Sequence, residues 1–303
     1  MNEHYPRIRF YKDGTDTPLV AVRESVSITF YMKRSHQDVV REVLKALEVY
    51  RRAVKPQALA WYADPYSDTA DWDTLNDKGW AYVHELLKEP AMGVWLAESP
   101  SDTTGFEFIY DGRLLDISAE TCTSAVSFML PTEVLEEHGP GWVWELARGL
   151  ARELPFDSGH AGLCFNYPES VLGPTRAIRP LVFRYPGLNI PALHHDSYCL
   201  GTRVNGVHWM NFLGPPVLDA LGGPEALRAR LHTPATTVWE LEGGRAVVTL
   251  GTWPEAGDLE RGDTLPAYRE LARVLEPWLY LGRGAESGFS DEDMLRWERR
   301  FLD

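Results

Sequence analysis

The apolar residues of this chain change their spacing twice in the same way, and that change limits the folds open to it. Val26, Ile28, Phe30 and Met32 alternate with Ser27, Thr29 and Tyr31, the period of two that puts one strand face into a core and the other toward water. The pattern then becomes helical. Ser35-His36-Gln37-Asp38 has the spacing of an N-terminal capping box, Val39, Val40, Val43, Leu44, Leu47 and Tyr50 follow as one stripe, and Lys55-Pro56 stops it. A short strand, Ala58 to Tyr62, comes next. The order recurs with a strand at Ala125 to Leu130, a helix at Gly141 to Glu153 carrying Trp142, Leu146 and Leu150, and a strand at Leu163 to Tyr167. The expectation is an α+β fold, mostly antiparallel sheet packed with helices, in which a strand-helix-strand unit is a candidate internal duplication. The chain reads as a single domain over 1–303, divisible into two fused α+β halves at about 1–120 and 121–303.

Between and after these units the spacing predicts a helix near Leu75 to Lys88 and hairpin-like strands at Met92 to Ala97 and Phe106 to Tyr110, with Asp111-Gly112 as a turn signal. A strand follows at His208 to Phe212, then a short helix after Gly214-Pro215-Pro216 and a segment Pro224 to Leu231. Val238 to Leu241 and Ala246 to Leu250 flank the tight turn Glu242-Gly243-Gly244-Arg245. Trp278 to Leu281 is strand-like, and helices at Pro266 to Leu275 and Asp291 to Phe301 close the chain.

Lys and Arg total 30 against 44 Asp and Glu, a formal charge of -14. That field repels nucleic acid and anionic membranes and attracts basic proteins. No nucleic-acid or membrane partner is expected, and no stretch approaches a membrane span. The N-terminus lacks the basic and apolar segments of an export signal, so the cytoplasm is the expected compartment. Cys122, Cys164 and Cys199 are odd in number and widely spaced, which gives neither a disulfide framework nor a zinc knuckle.

The segment 194–214 crowds His194, His195, Asp196, Cys199 and His208 together. Adjacent histidines diverge on a strand or a helix, so joint ligation of one ion is awkward, and a site built from His195, Cys199 and His208 is weaker than a reading of hydrogen-bonded loop and strand residues. Cys199 with His160 or His208 would make a nucleophile and base, but Tyr198-Cys199-Leu200 is an apolar setting. Nucleophile-elbow and phosphate-loop motifs are missing. Gly282-Arg283-Gly284-Ala285-Glu286-Ser287-Gly288 has serine in place of the third glycine and too little chain after it for a dinucleotide fold. Asp64, Asp68, Asp71, Asp73 and Asp77 lack calcium-loop spacing, yet they interleave with Trp61, Tyr62, Tyr66 and Trp72. Besides a solvated loop, that pattern suits an interface against a positively charged protein.

Arg184-Tyr185-Pro186-Gly187-Leu188, Ile190-Pro191, Gly206-Val207-His208-Trp209, Phe212-Leu213-Gly214-Pro215 and Leu221-Gly222-Gly223 occur in that order. Together with the strand and helix Val26 to Tyr50, they resemble an immunity-protein family of bacterial type VI secretion systems, over most of the chain. The resemblance implies an antidote that binds a cognate secreted toxin, with no cofactor, metal or catalytic residues of its own. Some relatives of this kind cover the substrate groove of DNA-cutting toxins. Within the motifs, Pro186-Gly187, Gly206 and Gly222-Gly223 read as turns and helix stops, and Trp209 and Phe212 as core.

The function expected is therefore neutralisation, by occlusion, of a basic toxin acting in the cytoplasm, a nuclease. The partner-binding candidates are Trp61, Asp64, Tyr66, Asp68, Asp71, Trp72 and Asp73, and the acidic loop with Glu255, Asp258, Glu260 and Asp263. The alternatives are a small-molecule hydrolase using Cys199 with a histidine, and an adaptor within the secretion apparatus.

Overall fold

A computed structural model describes residues 3–12, 18–66, 71–115, 120–167, 174–285 and 288–303. The first unit follows the predicted order. A short strand β1 (Arg9–Tyr11) pairs with the long β2 (Val20–Met32), and α1 (His36–Ala53), β3 (Trp61–Ala63), β4 (Trp72–Thr74), α2 (Asp77–Leu86), β5 (Met92–Ala97) and β6 (Glu107–Gly112) follow. The second unit is β7 (Ser124–Pro131), α3 (Glu133–His138), α4 (Pro140–Glu153) and β8 (Ser158–Asn166). Next come α5 (Pro174–Arg184), α6 (Leu193–Cys199), β9 (Met210–Leu213), α7 (Pro215–Ala220) and α8 (Gly223–Arg230). The hairpin of β10 (Thr236–Leu241) and β11 (Arg245–Leu250), then α9 (Pro266–Leu275) and α10 (Asp291–Glu298), complete the order.

Among the described residues all eleven strands join one antiparallel sheet, in the order β10-β11-β9-β8-β2-β7-β6-β5-β3-β4, with β1 beside β2. The mixed α and β architecture with a largely antiparallel sheet is the one expected from the spacing. β2 lies at the centre, between β7 and β8, so the first half of the chain inserts a strand between two strands of the second. Its alternation has the predicted effect on one face only. Val26, Ile28, Phe30 and Met32 are fully buried with Val39, Val43 and Leu47 of α1 and Leu146 and Leu150 of α4. The other face, expected to meet water, is buried as well at Ser25, Ser27, Thr29 and Tyr31, because β2 lies mid-sheet and α6 covers that side, where Asp196 accepts the Tyr31 hydroxyl. A second core packs β9 and β11 against α7, α8 and α9 through Leu213, Val217, Leu218, Val248 and Leu271. No helix among the described residues is long and apolar enough to cross a membrane.

Three local expectations are corrected. Ser35 stands at the N-cap of α1, but its hydroxyl accepts the Leu115 N–H at 3.0 Å instead of capping the helix, because the segment leaving β6 runs over the helix start. Asp111 and Gly112 end β6 inside the ladder, opposite Gly93 and Met92, and make no turn. Glycine is required there because a Cβ at 112 would lie 2.3 Å from His36 Nδ1. Residues 276–278 form a short 3-10 turn, and Leu279 keeps only a single parallel bridge to Val204.

Candidate functional site

The predicted acidic-aromatic residues fall on the free edge of the sheet. Trp61, Tyr62 and Ala63 of β3 pair with Thr74, Asp73 and Trp72 of β4, and β4 has no further strand neighbour among the described residues. The Asp64 N–H donates to the Asp71 carbonyl at 2.9 Å and extends the hairpin. Asp64 Oδ1 accepts the Tyr66 N–H at 3.0 Å and the Tyr82 hydroxyl at 3.1 Å. Asp73 accepts the Thr74 N–H at 2.6 Å. The Tyr62 hydroxyl is held above its ordinary pKa by desolvation first, then by the Asp73 and Asp64 carboxylates. Trp72 meets Trp95 of β5 edge-on, with ring centroids 5.0 Å apart, while Tyr66 is 64% exposed. Trp61, Asp64, Tyr66, Asp71, Trp72 and Asp73 thus share one edge. Asp68 lies outside the described residues.

Beside this edge, the sheet face opposite α1 and α4 opens into a cleft of about 280 Å³, with Ala63 and Pro65 on one rim and Leu193 and His194 of α6 on the other. Its walls are mostly apolar. On β6, Glu107, Ile109 and Asp111 alternate with the core residues Phe108 and Tyr110, so the three line the cleft in a row. Glu107 is 8% exposed and accepts from Trp95 Nε1 at 3.0 Å and Asn166 Nδ2 at 3.0 Å. Burial pushes its pKa up, against those two hydrogen bonds. Asp111 lies 3.4 Å from Arg113 Nη2 and 3.5 Å from His194 Nδ1. Sequence reasoning singled out none of Trp95, Glu107, Asn166 and Arg113, and Asn166, far along the chain on β8, meets the β5–β6 pair only through sheet order.

The second predicted set is engaged internally. Asp258 receives Arg184 through Nε at 2.9 Å and Nη2 at 2.7 Å, and Glu260 pairs with the same guanidinium at 2.6 Å. Asp263 accepts the Asp258 N–H at 2.8 Å. Glu255 meets His4 Nδ1 at 2.6 Å, and His4 stacks on Trp253. This loop borders a separate, wider cleft of about 1150 Å³ that shares no lining residue with the first. It also accounts for one motif. The Gly187 N–H donates to the Ala256 carbonyl at 2.7 Å, and a Cβ at 187 would sit 1.9 Å from the Glu255 carbonyl oxygen.

The histidine-rich segment forms a buried polar network at α6. Asp196, 1% exposed, accepts the Tyr31 hydroxyl at 3.0 Å and Asn205 Nδ2 at 2.6 Å, and it pairs with the buried Arg283 at 3.2 Å. His208 Nε2 donates to the Asn205 carbonyl at 2.6 Å, while His160 and His208 stack with centroids 3.9 Å apart. Burial, then the Arg283 and Arg300 charges, push the His160 pKa down to about 3, and burial lowers His208 as well. Both rings are neutral at pH 7 and poor proton acceptors there. His195 Nε2 lies 3.3 Å from the Tyr280 hydroxyl, whose pKa is raised by desolvation and then by Cys199 beside it. Among the described residues no group of three or more His, Cys, Asp or Glu side chains is arranged to hold a metal. The predicted turn and core roles hold: Gly206, Gly222 and Gly223 have φ of 70°, 90° and 85°, and Trp209 and Phe212 are buried.

No curated protein matches the sequence. Among solved structures, a Pseudomonas aeruginosa T6SS protein matches with a TM-score of 0.81 at 18% identity, over 97% of this chain and 87% of that one. At that identity the likeness is one of fold. The family model TsiV, type VI immunity for VRR-NUC, matches residues 42–301. That match extends from within α1 to the last turn of the chain and takes in every motif from Arg184 to Gly223, so this chain belongs to the TsiV family.

Proposed function

We propose that the chain is a non-catalytic antidote that neutralises a VRR-NUC nuclease toxin in the cytoplasm by covering the groove in which the toxin grips nucleic acid. Such a groove must present Lys and Arg to phosphate, and a surface of opposite sign competes for them. The observation that carries the reading is the β3–β4 edge, where Asp64, Asp71 and Asp73 surround the partly exposed Trp61, Tyr66 and Trp72. Aromatic anchors ringed by carboxylates supply both apolar contact area and charge complementarity. The loop with Glu255, Asp258, Glu260 and Asp263 is the lesser candidate, because Arg184 and His4 already offset much of its charge. The test is co-expression with a VRR-NUC toxin. Rescue of growth, co-purification of a stable complex and loss of nuclease activity in that complex are expected. A chain that rescues cells without binding the toxin would overturn occlusion.

A further inference from the structure

The cleft beside the β3–β4 edge contains a buried carboxylate with no cation of its own. Glu107 makes no ion pair among the described residues; its partners, Trp95 and Asn166, are neutral donors. A buried carboxylate held only by neutral hydrogen bonds is costly to keep charged, and a cation brought against it recovers part of that cost. Two hydrogen bonds leave lone pairs on both oxygens of Glu107 unused. Ile109 and Leu193, with the ring of Trp95, make the neighbouring walls apolar. The occupant that satisfies both features has an apolar stem and a cationic head that donates several hydrogen bonds in a plane, which describes arginine.

We infer that this cleft receives an arginine side chain of the toxin, with its guanidinium on Glu107 and its methylenes against Ile109 and Leu193. The inference rests on the immunity reading and names the contact by which this face holds its partner. Asp111, at the far end of the same row on β6 and beside Arg113, is already paired, which leaves Glu107 as the acceptor. An arginine buried in a pocket and ringed by the aspartates and aromatics of the edge has the character of an interface hot spot. Its loss would show mainly in the dissociation rate.

The experiment measures binding of the full chain to the purified, catalytically inactivated VRR-NUC domain, for the wild type, Glu107→Gln and Gly93→Leu. Glu107→Gln removes the charge and nearly keeps the shape. Gly93→Leu fills the cleft instead: the site is in a strand, and a Cβ there meets nothing closer than Asp111 Oδ1 at 3.4 Å. Both variants are expected to weaken the complex at least tenfold, mainly through faster dissociation, while melting cooperatively as folded proteins. If Glu107→Gln does not fold, Gly93→Leu alone decides. Wild-type affinity in the folded variants overturns the arginine pocket and leaves the immunity reading standing. Failure of the wild type itself to bind overturns both.

Discussion

Asp196 is where a single side chain holds most structure together, joining α6, the centre of β2 and Arg283 within one buried network. Removing one member of a buried ion pair strands the other charge, so Asp196→Ala is expected to lower unfolding free energy by about 3–5 kcal/mol in urea titrations. The paired histidines set a pH dependence. Their folded pKa values lie below the ordinary value of 6.5, so below that pH the unfolded chain takes up protons that the folded one refuses. Their effect on stability is therefore nil above pH 6.5 and unfavourable as pH falls from 6.5 toward about 3. His160 should account for a loss of about 2 kcal/mol between pH 6.5 and pH 5, and His208 adds to it in the same direction. In His160→Gln the stability difference between those two pH values should shrink by about that amount, and an unchanged difference would exclude His160 as a source. At Gly187 an added methyl would collide with the Glu255 backbone. Gly187→Ala is expected to cost about 1–3 kcal/mol by thermal or chemical denaturation, the usual range for overpacking.

At the scale of elements, periodicity alone located β2, α1, β5, β7, α4, α9 and the β10–β11 hairpin, because their apolar stripes are long or their turns strongly marked. What it missed has physical reasons. The α5 helix carries Pro180 inside it, and α6 is only seven residues long with two histidines and an aspartate, a composition that resembles a loop. The Ser35 cap was misjudged because its hydroxyl is taken by a residue eighty positions away. The acidic edge was legible as a pattern of aspartates among aromatics, but Glu107 and Asn166 were not, since only the pairing of β5, β6, β7, β2 and β8 brings them together. The edge hairpin carries its own prediction. Asp71→Lys with Asp73→Lys should slow association with the toxin about tenfold or more while leaving the melting temperature within a few degrees. Unchanged association kinetics would remove this edge from the interface.

For the whole molecule, the charge of -14 acts at a distance. If the partner presents a basic groove, the association rate should fall steeply as salt rises from 50 to 500 mM, by roughly ten- to a hundredfold, while dissociation changes little. Stopped-flow measurements separate the two rates, and an association rate indifferent to salt would count against electrostatic steering. Sheet order also divides the labour. The motifs around Gly187, His208 and Gly214 serve the interior, whereas β3 and β4 join the sheet at its edge, with Trp61 and Tyr62 opposite Ala97 and Leu96, Trp72 against Trp95 and Asp64 bonded to Tyr82. If this edge is the toxin interface, changes on the outward side of the hairpin alter the contact made with an attacker while the β2-centred scaffold stays as it is.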